Sequence, residues 1–160
     1  MTSSKIAKNA LLAALAIIFG YIESLLPAAP VPGIKLGISN IVILFALKSS
    51  DKFGAVFIML IKVFVSSLLF SGLNTLFYSL TGGILSLIAM DIALHFKFGT
   101  ATAGIAGGVF HNIGQIIAAA AVLCSTAVFV YLPVLIVSGT AVGFITGSVC
   151  KTVLSRIHIN

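Results

Sequence analysis

The chain has 160 residues, of which 60% are hydrophobic and only 8% are charged, whereas a soluble domain carries about 25% charged residues. A soluble protein this apolar would expose large patches and aggregate, so the composition indicates an integral membrane protein. The net charge is +6, but the basic residues are scattered among apolar blocks, which argues against a nucleic-acid partner. The length suits a single domain over residues 1–160.

Six apolar segments are candidates for membrane-crossing helices. A spanning helix needs roughly 20 apolar residues, and the second segment would be only about 21 Å long if it were helical throughout. We therefore predict an all-α bundle of six transmembrane helices, in which the second is tilted against its neighbours or does not fully span. The predicted segments are residues 6–26, 34–47, 53–70, 74–94, 100–123 and 127–149.

The beginning of the chain has an alternative interpretation as a secretory signal, because Lys5 and Lys8 precede an apolar run that ends near a pair of alanines. That run carries Glu23, which is unlike a signal core. Its removal would leave five spans. We therefore expect the first segment to remain as a helix.

The orientation follows from the basic residues, which concentrate in cytoplasmic loops of membrane proteins. With the N-terminus inside, seven of the nine basic residues fall on the cytoplasmic side, Lys35 lies in an outer loop and Lys62 lies within the third segment. We predict that both termini are cytoplasmic and that the protein resides in the plasma membrane. The seven are Lys5, Lys8, Lys48, Lys52, Lys97, Lys151 and Arg156.

The first outer loop, residues 27–33, holds three of the four prolines. Proline prevents helix continuation, so the loop should be stiff and irregular. It is either a plain turn or a lid over a cavity that opens outward.

Small residues recur every fourth position in three segments, a spacing that lets helix backbones approach closely in lipid. They either pack inside the bundle or form a face that docks another membrane protein. The candidates for such a partner interface are Ala10, Ala14, Gly139, Gly143 and Gly147, and Gly104 and Gly108 show the same spacing.

Ionisable groups within a bilayer are costly and usually mark function or a buried pair. Lys62 lies about nine residues from either end of its segment, too deep for comfortable snorkelling to the interface, so we expect it to face a polar cavity. In the fifth segment, His111 and Gln115 share a helix face and Asn112 is adjacent. They are either structural hydrogen-bonding residues or a binding surface.

With the predicted topology, these polar groups fall in the middle or outer half of the membrane. Their convergence predicts a pocket open to the outside, although Glu23 could instead simply neutralise Lys35 or Lys62. The substrate-binding candidates are Glu23, Lys35, Asn40, Lys62, Asn74, Tyr78, His111, Asn112 and Gln115.

Several catalytic signatures are missing from the sequence. It contains no GxxxxGK[ST] phosphate loop, and three acidic residues in total leave no paired aspartates for magnesium-diphosphate chemistry. Cys124 and Cys150 should face opposite sides of the membrane, which excludes a disulfide, and no metal-ligand spacing is present. We expect no catalysis, cofactor or metal.

Four ordered motifs carry a family resemblance: GIKLGISN at 33–40, SLTGGILS at 79–86, HNIGQ at 111–115, and YLPVL at 131–135 with Ser138 and Gly139. Together they resemble the Gx transporter family, also catalogued as heptaprenyl diphosphate synthase component I. Each motif is weak alone, but the ordered set covers nearly the whole chain. The third helix of this family often has an arginine where this chain has Lys62. The lysine keeps the positive charge but lacks the planar pair of donors with which an arginine binds a carboxylate or phosphate.

That family is similar to the substrate-binding S components of energy-coupling factor transporters. The resemblance implies a six-helix bundle with a substrate pocket near the outer face, closed by the first loop. It also implies that small-residue motifs on the first helix, matched here by Ala10 and Ala14, contact a transmembrane coupling subunit. Two ATP-binding subunits would supply the energy.

The leading hypothesis is therefore a membrane subunit that captures a small amphipathic molecule, such as a quinone or isoprenoid precursor, for uptake. Its expected partners are membrane lipids, the substrate, the coupling subunit and the ATPase subunits. One alternative is an accessory component of heptaprenyl diphosphate or menaquinone synthesis. Another is a scaffold in a membrane redox assembly, whose polar groups would pair with each other.

Overall fold

The computed structural model of the protein describes residues 3–25, 37–49 and 52–157, without the side chains of Ser71 and Asn74. This part of the chain is helical and contains no strand. A π-helical turn, Ser67–Ser71, extends the third helix, and a 3₁₀ helix, Thr126–Tyr131, precedes the sixth. The α-helices are α1 (Ser3–Leu25), α2 (Asn40–Ser49), α3 (Lys52–Ser66), α4 (Leu73–His95), α5 (Thr100–Val122) and α6 (Leu132–Arg156).

Five helical segments are long and apolar enough to cross a membrane. Large hydrophobic side chains such as Leu11, Phe57 and Val137 are more than 60% exposed on their outward faces, as expected where lipid replaces water. The prediction of an all-helical membrane protein is thus confirmed. The helix α2, with ten residues, is only about 15 Å long and cannot cross alone. The five spans are Ser3–Leu25, Lys52–Phe70, Thr75–His95, Thr100–Val122 and Thr126–Arg156.

Glycines bring α5 and α6 into backbone contact. A Cβ atom added at Gly108 would collide with the carbonyl oxygen of Gly139, and one added at Gly143 would collide with that of Gly104. A Cβ atom at Gly147 would stand 2.5 Å from the Thr100 carbonyl oxygen. Such close approach is a main source of helix association in lipid, where apolar burial provides little drive. Gly139, Gly143 and Gly147 therefore pack inside the bundle, which is one of the two interpretations of their spacing.

The helix α5 contacts α4 through small residues as well. A Cβ atom at Gly114 would stand 2.7 Å from the Gly82 Cα atom and from the Thr81 carbonyl oxygen. The Thr81 hydroxyl donates a hydrogen bond of 3.0 Å to the Gly114 carbonyl oxygen. Consequently α5 lies between α4 and α6, with small residues on both sides.

The other half of the bundle packs through side chains. Leu12 and Ala16 of α1, Val42 of α2 and Ile58 of α3 belong to one buried apolar cluster. A second cluster joins Ile43 and Leu44 of α2 to buried residues of α3, α4, α5 and α6. The short α2 therefore lies in the interior, with half of its residues buried.

Substitution of Gly143 tests the close contact between α5 and α6. We expect Gly143→Leu to lower the free energy of unfolding by about 3 kcal/mol, because its side chain has no space against Gly104. Ala141→Leu, at an exposed position of the same helix, should change it by less than about 0.5 kcal/mol. Thermal or denaturant unfolding in detergent, followed by circular dichroism, gives the comparison. Equal stability of the two variants would contradict the packing described.

Candidate functional site

A carboxylate from α1 caps the N-terminus of α2. The Gly37 and Ile38 backbone N–H groups both donate hydrogen bonds to Glu23 Oε1, the latter at 3.1 Å. The Ser39 hydroxyl donates to Glu23 Oε2 at 3.2 Å. A helix N-terminus carries positive partial charge and unpaired N–H groups, so an anion is favourable there. Glu23 thus fixes the start of α2 against the end of α1.

The backbone before α2 depends on a glycine. Gly37 has φ +85°, a conformation that side chains disfavour, and it accepts a turn hydrogen bond of 3.0 Å from the Asn40 N–H group. A Cβ atom there would stand 2.9 Å from Asn40 Nδ2 and 3.1 Å from His111 Cδ2. Gly37 therefore permits both the turn and the approach of α2 to α5.

Lys62 is 2% exposed and lies in the middle of the third helix. Its ammonium group interacts electrostatically with the Glu23 carboxylate. Gly20 of α1 makes room for it, since a Cβ atom there would stand 3.6 Å from Lys62 Cε and 2.6 Å from the Ser66 hydroxyl. Glu23 follows Gly20 by three residues and shares its face of α1, so the buried lysine and glutamate belong to one site, and neutralisation of Lys62 by Glu23 stays a prediction.

His111 and Gln115 form the α5 part of the site. Their side-chain nitrogens are 3.1 Å apart, His111 Nε2 to Gln115 Nε2, and both residues are fully buried. When the Gln115 amide donates this bond, the proton of a neutral His111 lies on Nδ1. Gly82 of α4 makes space for both side chains, because a Cβ atom there would stand within 3.0 Å of each.

We call Glu23, Asn40, Lys62, His111 and Gln115 the polar cluster. Its members come from α1, α2, α3 and α5, and the cluster lies inside the bundle where α2 begins. Their side chains are all at least 96% buried. A buried set of this kind, with both charges and neutral amides, is unusual within an apolar bundle because each group pays a desolvation cost.

Several buried polar atoms lack hydrogen-bond partners in the described part of the chain. Both amide atoms of Asn40 are among them, together with the hydroxyl groups of Ser66, Ser67, Ser79 and Ser86. Leaving a buried donor or acceptor unsatisfied costs about 1–3 kcal/mol. Such atoms commonly mark a place where a ligand or ordered water supplies the missing partner.

Asn112 faces a different neighbour from His111. Its Nδ2 donates a hydrogen bond of 2.6 Å to the Leu135 carbonyl oxygen of α6 and lies 3.5 Å from the Ser138 hydroxyl. One residue along a helix turns the side chain by about 100°. Asn112 therefore joins α5 to α6, outside the polar cluster.

The remaining predicted residues have separate positions. Tyr78 is 4% exposed and packs against Ala118 and Ala119 of α5, one turn beyond Gln115. Lys35, the first loop and the side chain of Asn74 lie outside the described residues, so those predictions stay untested. Ala10 and Ala14 are exposed on α1.

The sequence interpretation missed the glycines and hydroxyl groups of the site. Gly20, Gly37 and Gly82 make space for its side chains, and Ser39 helps to hold Glu23. One signal was available, because Ser66 follows Lys62 by four residues and hence shares its helix face. The role of Gly20 depends on the pairing of α1 with α3, which no local pattern revealed.

Comparison with known proteins gives one match. The family model described as heptaprenyl diphosphate synthase component I matches residues 12–153. The chain belongs to this family. The part matched to the component I family contains the whole polar cluster and excludes Ala10. Searches of curated proteins and of solved structures found no match.

In this component I protein, the Glu23–Lys62 interaction can be measured by a double-mutant cycle. We expect Glu23→Gln to destabilise the fold by about 3–5 kcal/mol, because it leaves a buried ammonium group without its carboxylate. Adding Lys62→Met should recover part of that loss, which gives a coupling free energy of about 2 kcal/mol. Unfolding in detergent supplies the four stabilities.

The matched control is the exposed pair Lys52–Asp91, whose nitrogen and oxygen are 2.7 Å apart. A cycle with Lys52→Met and Asp91→Asn should give a coupling of at most about 1 kcal/mol, as for other surface pairs. A coupling at Glu23–Lys62 no larger than this control would show that the two buried charges act independently.

Proposed function

We propose that this protein is the substrate-binding membrane subunit of an uptake system, comparable with the S components of energy-coupling factor transporters. The observation that carries the proposal is the polar cluster, in which Lys62 and Glu23 are buried and the amide of Asn40 has no hydrogen-bond partner among the described residues. Ionisable groups within spanning helices characteristically lie on substrate paths. A purely structural role would leave the Asn40 amide satisfied by its neighbours.

The chemistry of the cluster favours an amphipathic substrate. Lys62 offers ammonium donors, Asn40 offers one acceptor and two donors, and the serine hydroxyls can do either. Apolar side chains, including Met59 and Val63 of α3, are buried close by. An anionic or carbonyl-rich head group on an apolar body fits this combination, as in a quinone or an isoprenoid precursor.

The source of energy would lie in other subunits. The sequence has no phosphate loop, so an ATPase must be separate in this proposal. The face of α1 that carries Ala10 and Ala14 is exposed, and small residues at this spacing suit close helix contact in lipid. We assign this face to a transmembrane coupling subunit.

The proposed topology places both termini in the cytoplasm of a plasma-membrane protein, with α2 as a short sixth segment. The bundle ends that would be cytoplasmic carry most of the basic residues, in line with the charge bias of cytoplasmic loops. The polar cluster then lies in the outer half of the membrane, where α1 ends and α2 begins.

A second candidate is an accessory membrane component of heptaprenyl diphosphate or menaquinone synthesis. The family description favours it. Prenyl diphosphate synthases use aspartate-rich motifs for their magnesium ions, and this chain has only Asp51 and Asp91. In that case the protein would present or receive an isoprenoid for a separate catalytic subunit.

Binding is tested by the molecule that co-purifies with the protein, identified by mass spectrometry. Lys62→Met and His111→Ala should each reduce its occupancy at least tenfold, since each removes a buried polar contact worth about 1.4 kcal/mol or more. The matched controls are Lys52→Met and His95→Ala, at exposed positions. Retention of the molecule by both cluster variants at parental occupancy would end the binding proposal.

Co-purification distinguishes the two candidate functions. A transporter subunit should bring a coupling subunit and ATPases, and an accessory component should bring a prenyl transferase. Transport then requires ATP-dependent accumulation of the identified molecule in cells. Loss of prenyl chain synthesis without any loss of uptake would favour the second candidate.

The topology is tested by labelling of single cysteines with an impermeant maleimide. Cys124 is exposed after α5, whereas Cys150 is buried, so Cys124 should react in intact cells. In a background with Cys124→Ala and Cys150→Ala, Lys97→Cys between α4 and α5 should react only after the membrane is opened. The reverse pattern would invert the proposed orientation.

A further inference from the structure

A concave surface lies on the outside of the bundle between α1, α2 and α6. It is a groove of about 390 Å³. Apolar side chains form almost all of its walls, and Lys8 is the exception. We call it the α1–α2–α6 groove. Representative lining residues are Leu12 and Leu15 of α1, Val42 and Phe45 of α2, and Val149 and Val153 of α6.

One end of the groove is basic. Lys8 lies at this end, and its ammonium group donates a hydrogen bond of 2.7 Å to the Ser49 carbonyl oxygen at the end of α2. The C-terminus of a helix carries negative partial charge, which helps to hold the lysine there. An ammonium group has three N–H donors, so this bond leaves Lys8 able to bind a second acceptor.

Lys48 reinforces the charge at the same end. It is exposed in the last turn of α2 and is next in the chain to Ser49, whose carbonyl oxygen accepts the Lys8 hydrogen bond. The described acidic residues are elsewhere, because Glu23 caps the opposite end of α2 and Asp91 pairs with Lys52. The mouth of the groove is therefore suited to an anion.

The length of the groove matches half of a bilayer. From Lys8 to Phe19, both of which line it, α1 rises about 16 Å. This is close to half of the hydrocarbon core, which is about 30 Å thick. A single extended acyl chain can lie along a groove of this length and volume.

We propose that the α1–α2–α6 groove binds one acyl chain of an anionic phospholipid, whose phosphate group contacts Lys8 and Lys48. Basic pockets between membrane helices recognise anionic head groups through this combination of charge and apolar depth. The site is independent of the proposed transport function, since none of its named lining residues belongs to the polar cluster.

The test compares phosphatidylglycerol with phosphatidylcholine of identical acyl chains, added to delipidated protein in detergent and counted by native mass spectrometry. The parent should retain one phosphatidylglycerol in preference to phosphatidylcholine. The double variant Lys8→Gln with Lys48→Gln should reduce this preference about thirtyfold, because each lysine near an anionic lipid contributes about 1 kcal/mol. Lys52→Gln with Lys97→Gln removes the same charge from other helix ends and should leave the preference unchanged.

A second pair of variants tests the acyl chain. Leu15→Trp places a large side chain in the groove and should reduce retention of both lipids, while Ile22→Trp, exposed on the same helix but outside the groove, should not. If the double variant folds poorly, Lys48→Gln alone serves instead, because Lys48 is exposed. It should reduce the preference for phosphatidylglycerol about fivefold. Parental preference in the Lys48→Gln variant, or full retention by Leu15→Trp, would overturn the proposal.

Discussion

The Glu23 carboxylate connects the elements on which the interior of this protein depends. It closes the N-terminus of α2 through two backbone N–H groups and the Ser39 hydroxyl, and it interacts electrostatically with the buried Lys62. A helix of ten residues buried among longer ones gains little from propensity alone. A charge supplied by α1 holds it in place, and the position of Asn40 against His111 follows from that.

Two kinds of packing support this arrangement. The α4–α5–α6 half is joined by small residues and by backbone-directed bonds such as Thr81 to Gly114 and Asn112 to Leu135. The α1–α3 half is joined by ordinary apolar side chains around α2. The polar cluster lies where the two halves meet. The Glu23 charge is tolerated there because it accepts hydrogen bonds from the start of α2, which reduces its desolvation cost.

Much of the fold could be predicted, because lipid imposes one simple requirement on each crossing segment. The long apolar runs gave the third, fourth and fifth segments to within one or two residues of Lys52–Phe70, Leu73–His95 and Thr100–Val122. The last segment was less regular, since a 3₁₀ helix precedes α6 and Pro133 stands in the first turn of α6, where proline is favoured. The helix α6 also continues beyond the predicted end, to Arg156, because a helix can extend past the apolar run with polar residues outside the hydrocarbon core.

The site was predictable only in part. Burial of Lys62 followed from its depth in an apolar run, and the shared face of His111 and Gln115 followed from helical spacing. The capping role of Glu23 could not be predicted, because its partners are backbone groups 14 and 15 residues away. From the sequence, Asn112 was a binding candidate like His111. Only the position of α6 shows that Asn112 bonds to the Leu135 carbonyl oxygen instead of joining the polar cluster.

The glycine contacts between α5 and α6 have a mechanical consequence. Where backbone touches backbone, there are no rotamers to exchange, so the two helices can slide only by breaking many contacts at once. We therefore expect α5 and α6 to behave as one rigid unit. We expect any rearrangement of the bundle to involve α1, α2 and α3 rather than the contact between α5 and α6.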